Sequence, residues 1–171
     1  MSHILPRGRQ IQRLPRNRKQ TRRLITFVGI AVIGVLIAFM VFLQVEASRN
    51  NEFKRAFEKI VIDTNALTQE YTIQEDQWLS RDNNTMIKVI DQYLPRYDML
   101  VERAKALDTP EKYKPAQEYL VSAIDLERQS YQHFRNFLVT GDEREYRMSS
   151  DMISRSLEES VNADGAIKAA G

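Results

Sequence analysis

The run from Leu24 to Leu43 is twenty residues long, has no charged side chain and has Thr26 as its only polar one. An α-helix rises about 1.5 Å per residue, so this run reaches across a bilayer core of about 30 Å. The apolar region of a signal peptide is shorter, about 7 to 15 residues. We therefore predict a retained transmembrane helix over residues 24–43.

The segment before this run is strongly basic. Residues 1–23 hold eight Arg and Lys residues and none of the 23 acidic residues of the chain. Since cytoplasmic flanks are enriched in Lys and Arg, we predict a cytoplasmic N-terminus and an extracytoplasmic C-terminal region in the cell membrane. The charges nearest the span are Arg16, Arg18, Lys19, Arg22 and Arg23.

The N-terminal region has two other interpretations. A nucleic-acid-binding arm would also be basic, but no aromatic residue that could stack on a base lies among these arginines, so we favour attraction to the lipid bilayer. Val45-Glu46-Ala47 fits a signal-peptidase pattern loosely, which leaves cleavage after Ala47 open. Gly34 and Ala38 form a small-xxx-small pair through which two spans could pack.

The rest of the chain alternates apolar residues with helical spacing. The first three predicted core rows are Phe53, Phe57, Ile60, Thr64, Leu67, Tyr71, Gln74 and Trp78; Met86, Ile90, Tyr93, Tyr97, Leu100, Ala104 and Leu107; and Leu120, Ile124, Tyr131, Phe134 and Leu138, flanked by Ala116, Ala123 and Phe137. A weaker fourth row comprises Tyr146, Ile153, Leu157, Val161 and Ile167.

Turn and cap residues separate these rows. Residues 80–85 supply the first break, Thr109 is predicted as the N-cap before Pro110, and Gly141 ends a helix. Asp142 and Glu145 have the spacing of a capping box. The predicted fold class is all-α: an N-terminal transmembrane helix followed by an antiparallel up-down-up-down four-helix bundle. Its parts are a basic leader (1–23), the span (24–43), a helical stalk (44–53) and the bundle (54–171).

Residues that could carry out catalysis are scarce. The chain has no cysteine, which excludes thiol catalysis and thiolate metal sites. His133 has no Glu-x-x-His motif near it and His3 lies on the other side of the predicted membrane, so we predict no metal, no cofactor and no enzymatic activity. Asn83 begins an Asn-x-Thr sequon, which predicts glycosylation only if the source glycosylates exported proteins.

Pro95 falls within the second core row. A proline inside a helix removes one hydrogen bond and costs about 3 kcal/mol or more, so we predict a kink or a break. A tolerated kink is one interpretation. The other is a widened gap between helices that could admit a small ligand. The predicted lining of that gap is Tyr71, Tyr93, Pro95, Tyr97, Tyr131 and Phe134.

The stretch "TPEKYKPAQEYLVSAIDLERQSYQHFRNFLVTGDEREY" has a proline-led helix that ends at a Gly-Asp turn. It resembles the second half of uncharacterised membrane-anchored or lipid-anchored extracytoplasmic helical proteins of prokaryotes, a likeness of style that covers about residues 50–168. The resemblance implies a small helical bundle outside the membrane and supplies no catalytic residues. Because this chain lacks a lipobox cysteine, lipid anchoring is not available to it.

These features predict a membrane-anchored, non-catalytic structural or accessory subunit of an envelope or membrane complex. Its partner would be another membrane protein or a second copy of the chain. The alternative function is a sensor-like ligand-binding module that signals through a partner, since the sequence contains no second span and no output domain of its own.

Overall fold

A computed structural model of the protein describes the backbone of residues 18–76 and 82–171 and the side chains of residues 36–75 and 82–171. All secondary structure in these ranges is helical. The chain divides into two units, Met1–Glu46 and Ala47–Gly171. The helices are α1 (Arg18–Asp76), α2 (Asn83–Lys105), α3 (Lys114–Thr140) and α4 (Glu143–Ala169), with a 3₁₀ turn at Glu111–Tyr113 before α3.

In the first unit, most of the described side chains are apolar, the exceptions being Gln44 and Glu46, and they lie on every side of α1. The large apolar residues between Leu36 and Val45 are between 48% and 71% exposed. Within the described side chains, no helix contains a stretch long and apolar enough to cross a membrane. The side chains of residues 24–35 of the predicted span, Gly34 among them, lie outside the described residues. So do the side chains of the five charged residues nearest the span.

The second unit is a helical bundle, as predicted. Six members of the first predicted row, six of the second and all five main members of the third are buried, and Leu107 of the second row is partly buried. Trp78 lies outside the described residues. Phe53, the last residue of the predicted stalk, is buried, and its ring stacks on that of Tyr113 with centroids 5.0 Å apart. The core therefore includes Phe53.

Contacts between helices show that neighbours in sequence run antiparallel. Glu70 on α1 pairs with Arg96 on α2, and seven residues earlier on α1 Asp63 pairs with Arg103, seven residues later on α2. The same holds for α3 and α4: Ser130 on α3 contacts Ser149 on α4, and seven residues earlier on α3 Ala123 accepts from Ser156, seven residues later on α4. Exposed ion pairs of this kind contribute at most about 1 kcal/mol each, so they report the alignment and the buried rows supply the stability.

The helix ends follow the predicted signals with one exception. Asp82 caps α2, and Gly141 ends α3 in the left-handed conformation at a φ of 69°. The predicted cap at Thr109 is wrong, because its hydroxyl donates to the carbonyl of Leu107 and α3 begins four residues later than predicted. Between them the chain makes a 3₁₀ turn that places Tyr113 in the core.

The core row predicted for α4 is correct only in part. Ile153 and Ile167 are partly buried, and Ile167 packs against the core. Leu157 is 65% exposed and Val161 is 71% exposed, however, and the buried residues of this helix are Ser156 and Ala163. The hydroxyl of Ser156 donates to the backbone carbonyl of Ala123 on α3 over 2.8 Å. A side chain as short as serine can reach a neighbouring backbone only when the two helices lie very close together, so small residues occupy this interface.

Candidate functional site

The tyrosines predicted to line a gap instead pack ring against ring. The centroids of Tyr71 and Tyr131 are 4.0 Å apart, those of Tyr97 and Tyr131 are 5.1 Å apart, and Tyr93 meets Tyr71 edge-on. Aromatic pairs at such distances and tilts are favourable beyond the area that they bury. These four rings join α1, α2 and α3 and occupy the space between them.

Pro95 lies on the exposed side of α2, away from these rings. The helix runs through it from Asn83 to Lys105, so the predicted break is absent. The carbonyl that the proline leaves without a helical donor is that of Asp91, whose residue is also exposed. Water can therefore hydrate this group, which explains how a helix interior accommodates the proline.

Phe134 occupies a different position from the four tyrosines in this core. Its ring centroid lies 6.2 Å from that of Phe137 and 6.4 Å from that of Tyr146, the first aromatic residue of α4. Phe134 thus lies between the aromatic core and the start of α4. It also contributes to the wall of a cavity between α1, α3 and α4.

Glu127 is the polar centre of the tyrosine cluster, although it is only 6% exposed. Its Oε1 accepts hydroxyl hydrogen bonds from Thr68 (2.6 Å), Tyr131 (2.7 Å) and Tyr97 (2.9 Å). The Thr68 hydroxyl also lies 2.9 Å from the carbonyl of Thr64, and its single proton can serve only one of these acceptors. The three hydroxyls offset the cost of taking a carboxyl group out of water.

The tyrosine hydroxyls around Glu127 are held in their protonated form. Burial raises the pKa of Tyr97 and of Tyr131 well above the ordinary tyrosine value, and the negative charge of Glu127 raises both further. Each hydroxyl therefore remains a hydrogen-bond donor over the whole physiological pH range. The cluster acts as a fixed set of donors rather than as a source of protons.

The sequence contains a signal for Glu127 that the predicted apolar rows leave out. Together with the predicted row on α3, Glu127 completes an unbroken alternation of four and three residues between Ile124 and Tyr131. A carboxylate at a core position of such a row indicates a buried polar group, because a charged residue in an apolar stripe needs partners. Thr68 gives no comparable signal, since it lies one position beyond Leu67 of its own row.

A cavity of about 340 Å³ lies beside Glu127, between α1, α3 and α4. Its volume falls in the range of small-molecule sites. Most of its walls are apolar, and a carboxylate lies at each of three positions. Its lining consists of Phe57, Glu58, Val61, Thr64, Asn65, Leu120, Ala123, Ile124, Glu127, Ser160, Ala163, Asp164 and Ile167.

A second cavity of about 260 Å³ between the same three helices is lined mainly by hydroxyl groups. Its lining comprises Thr68, Thr72, Glu75, Ser130, Tyr131, Phe134, Tyr146, Ser149, Ser150 and Ile153. Thr68 belongs to this cavity and also donates to Glu127 of the first one. The two cavities exist because α4 approaches α3 through small side chains and leaves space beside α1.

His133 links α3 to the first turn of α4. Its Nδ1 lies 2.8 Å from Oε2 of Glu145, and because a carboxylate can only accept, the histidine donates. The amide of Asn136 donates to the same oxygen over 3.2 Å. These two bonds lower the pKa of Glu145 below its ordinary value. Glu145 thus fastens two helices, while Asp142 caps α4.

The remaining residues that the sequence singles out make few contacts with other elements. Asn83 is exposed at the first turn of α2, where its side-chain amide lies 3.4 Å from the carbonyl of Leu138, and glycosylation stays a prediction. Ala38 is exposed on α1. Within the described residues, no three His, Asp or Glu side chains are grouped as metal ligands.

No protein-family model, curated protein or solved structure matches this chain.

Proposed function

We propose that the protein is a single-span, membrane-anchored and non-catalytic subunit whose extracytoplasmic bundle binds another protein. The observation that supports the anchor is the surface of α1 between Leu36 and Val45, where the large apolar side chains are exposed around the whole helix. A helix that is apolar all round is typical of a membrane span or of a buried position. The basic leader adds an orientation with the N-terminus in the cytoplasm.

The surface that supports partner binding is the outer face of α4. Leu157 and Val161 are one helical turn apart and are the largest apolar side chains of that turn, yet both are exposed. Exposed apolar residues that adjoin on one face mark protein interaction sites when they form a patch. The partner is a membrane protein or a second copy of this chain.

Orientation can be tested with single cysteines, because the chain has none of its own. Ser2→Cys lies in the leader and Ser154→Cys lies at an exposed position of α4. A membrane-impermeant maleimide should label Ser154→Cys in cells whose outer barrier is open and should label Ser2→Cys only after lysis. Label on Ser2→Cys in sealed cells, or a mature chain that starts at Ser48 in the soluble fraction, would refute the anchored topology.

The partner surface can be tested by photo-crosslinking of the full chain in its native membrane. A benzophenone amino acid at Val161 should give one discrete product, whose mass identifies a second copy or another protein. The same group at Gln92, an exposed position of α2, is the control. Leu157→Ser should abolish the Val161 product. If the products from both positions are alike, or persist in Leu157→Ser, the outer face of α4 is not the interface.

The ligand-binding alternative has its own supporting observation. The tyrosine positions predicted to form a gap are filled by their own rings, but the 340 Å³ cavity beside Glu127 has the size and the mixed lining of a small-molecule site. As a sensor, the bundle would bind its ligand there and pass the change to a partner protein. This alternative therefore requires that a small molecule binds in the cavity.

A further inference from the structure

The cavity beside Glu127 combines an apolar wall with an incompletely bonded carboxylate. Phe57 and Val61 of α1 and Ile124 of α3 form much of the wall. Oε1 of Glu127 lies within hydrogen-bond distance of three hydroxyl groups, whereas Oε2 accepts no hydrogen bond from any residue that the structure describes. Unlike the hydroxyl of Tyr71, Oε2 is not a fully buried atom without a partner, so it keeps access to the space beside it. A ligand in the cavity could therefore reach Oε2 and donate a hydrogen bond to a carboxylate oxygen.

The charges around the cavity all have one sign. Glu58 and Asp164 line it together with Glu127, and no Lys, Arg or His is among the lining residues. Lys168 pairs with Asp164 from the outside and neutralises part of this charge. Both Glu58 and Asp164 are exposed, so they lie where an approaching ligand meets solvent. Carboxylates at an entrance attract cations and repel anions.

Two ligand classes fit this lining poorly. A divalent metal ion such as Ca²⁺ takes six to eight oxygen ligands at 2.3–2.6 Å, and among the described residues no three His, Asp or Glu side chains are grouped closely enough to hold one. A carbohydrate needs many hydrogen-bonding groups, which are concentrated in the neighbouring hydroxyl-lined cavity instead. An ammonium group attached to an apolar body matches both the carboxylate and the walls.

We propose that this cavity binds an organic ammonium ion, with its N–H groups on Oε2 of Glu127 and its apolar part against Phe57, Val61 and Ile124. This site is distinct from the proposed partner surface, because neither Leu157 nor Val161 lines the cavity. The proposal supplies the chemical class of ligand for the sensor alternative. Its failure would leave the crosslinking result at Val161 unaffected.

The test is calorimetric titration of the full chain in nanodiscs of zwitterionic lipid, with empty nanodiscs as the blank. The probes are phenethylammonium, its neutral counterpart 2-phenylethanol and the anion 3-phenylpropanoate. We expect phenethylammonium to bind at least about tenfold more tightly than the alcohol, since a hydrogen bond to a charged group contributes that much, and we expect no binding of the anion. Equal affinity for ammonium and alcohol, or no binding of ammonium, would overturn the proposal.

Glu127→Gln tests the carboxylate with almost no change in volume. Its remaining oxygen can still accept from the tyrosines, and we expect a loss of affinity of about tenfold or more for phenethylammonium. Asp164→Asn is exposed and cannot disturb the core, and we expect a loss of roughly two- to fivefold. Glu158→Gln, on the exposed side of α4, is the matched control with unchanged affinity. If Glu127→Gln and Asp164→Asn both bind like the control, the site is elsewhere.

Discussion

Large aromatic side chains join α1, α2 and α3, whereas small side chains join α3 to α4. In the first region, volume and hydrogen bonds determine the packing, as the contact between the rings of Tyr71 and Tyr131 and the bond from Tyr131 to Glu127 show. In the second region, Ser130 meets Ser149 with hydroxyl oxygens 3.1 Å apart, and Ser156 reaches the backbone of Ala123. Close approach of two backbones determines the packing there.

The difference between the two regions explains both proposed surfaces. Because α4 presents its small residues to α3, its large apolar residues Leu157 and Val161 remain on the outside. Because α4 lies close to α3, space remains beside α1, and the cavity next to Glu127 occupies it. The aromatic core supplies most of the buried volume of the bundle, and the small-residue interface shapes the two proposed binding surfaces.

The largest expected effect is the loss of an aromatic core residue. Tyr131→Ala removes a ring that contacts two others and leaves Glu127 with one donor fewer, so the free energy of unfolding should fall by about 3–5 kcal/mol. Tyr119→Ala on the same helix removes a ring that is 38% exposed and should lower the free energy of unfolding by only about 1 kcal/mol. Urea unfolding measures both, and similar losses would contradict the assignment of the core.

An exchange between neighbouring positions on α4 tests the second region. Ser156→Leu inserts a large side chain between close backbones and should cost about 1–3 kcal/mol in the free energy of unfolding. Leu157→Ser removes an exposed side chain and should be nearly neutral, within about 0.5 kcal/mol. Without the close contact between the two backbones, a new apolar residue inside the bundle and a new polar residue on its surface would both be expected to stabilise the fold. Stabilisation by Ser156→Leu would show that α4 is turned the other way.

Within the aromatic core, removing one hydroxyl should stabilise the fold. The hydroxyl of Tyr71 is buried and has no hydrogen-bond partner in the part of the chain that the structure describes. Burial raises the pKa of this hydroxyl, so it stays neutral. Tyr71→Phe should therefore raise the free energy of unfolding by about 1 kcal/mol, whereas Tyr97→Phe, which removes a donor to Glu127, should lower it by a similar amount. A loss from both variants would mean that the Tyr71 hydroxyl is satisfied.

The smallest expected effect is a pH dependence at the start of α4. The hydrogen bonds from His133 and Asn136 lower the pKa of Glu145 below its ordinary value of 4.5. A lowered pKa stabilises the fold above about pH 4.5, and the stabilisation disappears as the pH falls through the lowered value. Melting temperatures should therefore drop less steeply below pH 4.5 in Glu145→Gln than in the wild-type chain, with Glu143→Gln as the exposed control. Parallel curves would contradict this role.

The sequence predicted the first region well and the second poorly for a physical reason. The large residues of α1, α2 and α3 recur with helical spacing, and burial of large apolar surface dominates such packing. On α4, Ser149, Ser156 and Ala163 also recur every seven residues, but small side chains carry little hydrophobic signal. The row predicted for α4 contains Leu157 and Val161 instead, and it therefore places inside two large side chains that the fold leaves exposed.

The candidate site was predicted only in part. Tyr71, Tyr97 and Tyr131 are predicted to line one gap between helices; they do lie together, but their rings fill the space between them. A cavity on the other side of Glu127 could not be predicted, since it depends on how closely α4 approaches α3. That distance is set by the small-residue interface, which the pattern of large residues conceals.

One measurement tests the orientation of α4 on α3 most directly. In the double variant Ser130→Cys with Ser149→Cys, two thiols replace hydroxyl oxygens that are 3.1 Å apart in a chain that has no other cysteine. Mild oxidation should form an intramolecular disulfide almost completely. The mass of the chain should then fall by that of two hydrogen atoms, and the thiols should no longer react with maleimide. The matched pair Ser130→Cys with Ser150→Cys, whose second position is exposed, should remain reduced. A disulfide in the second pair and not in the first would show that α4 packs through its other face.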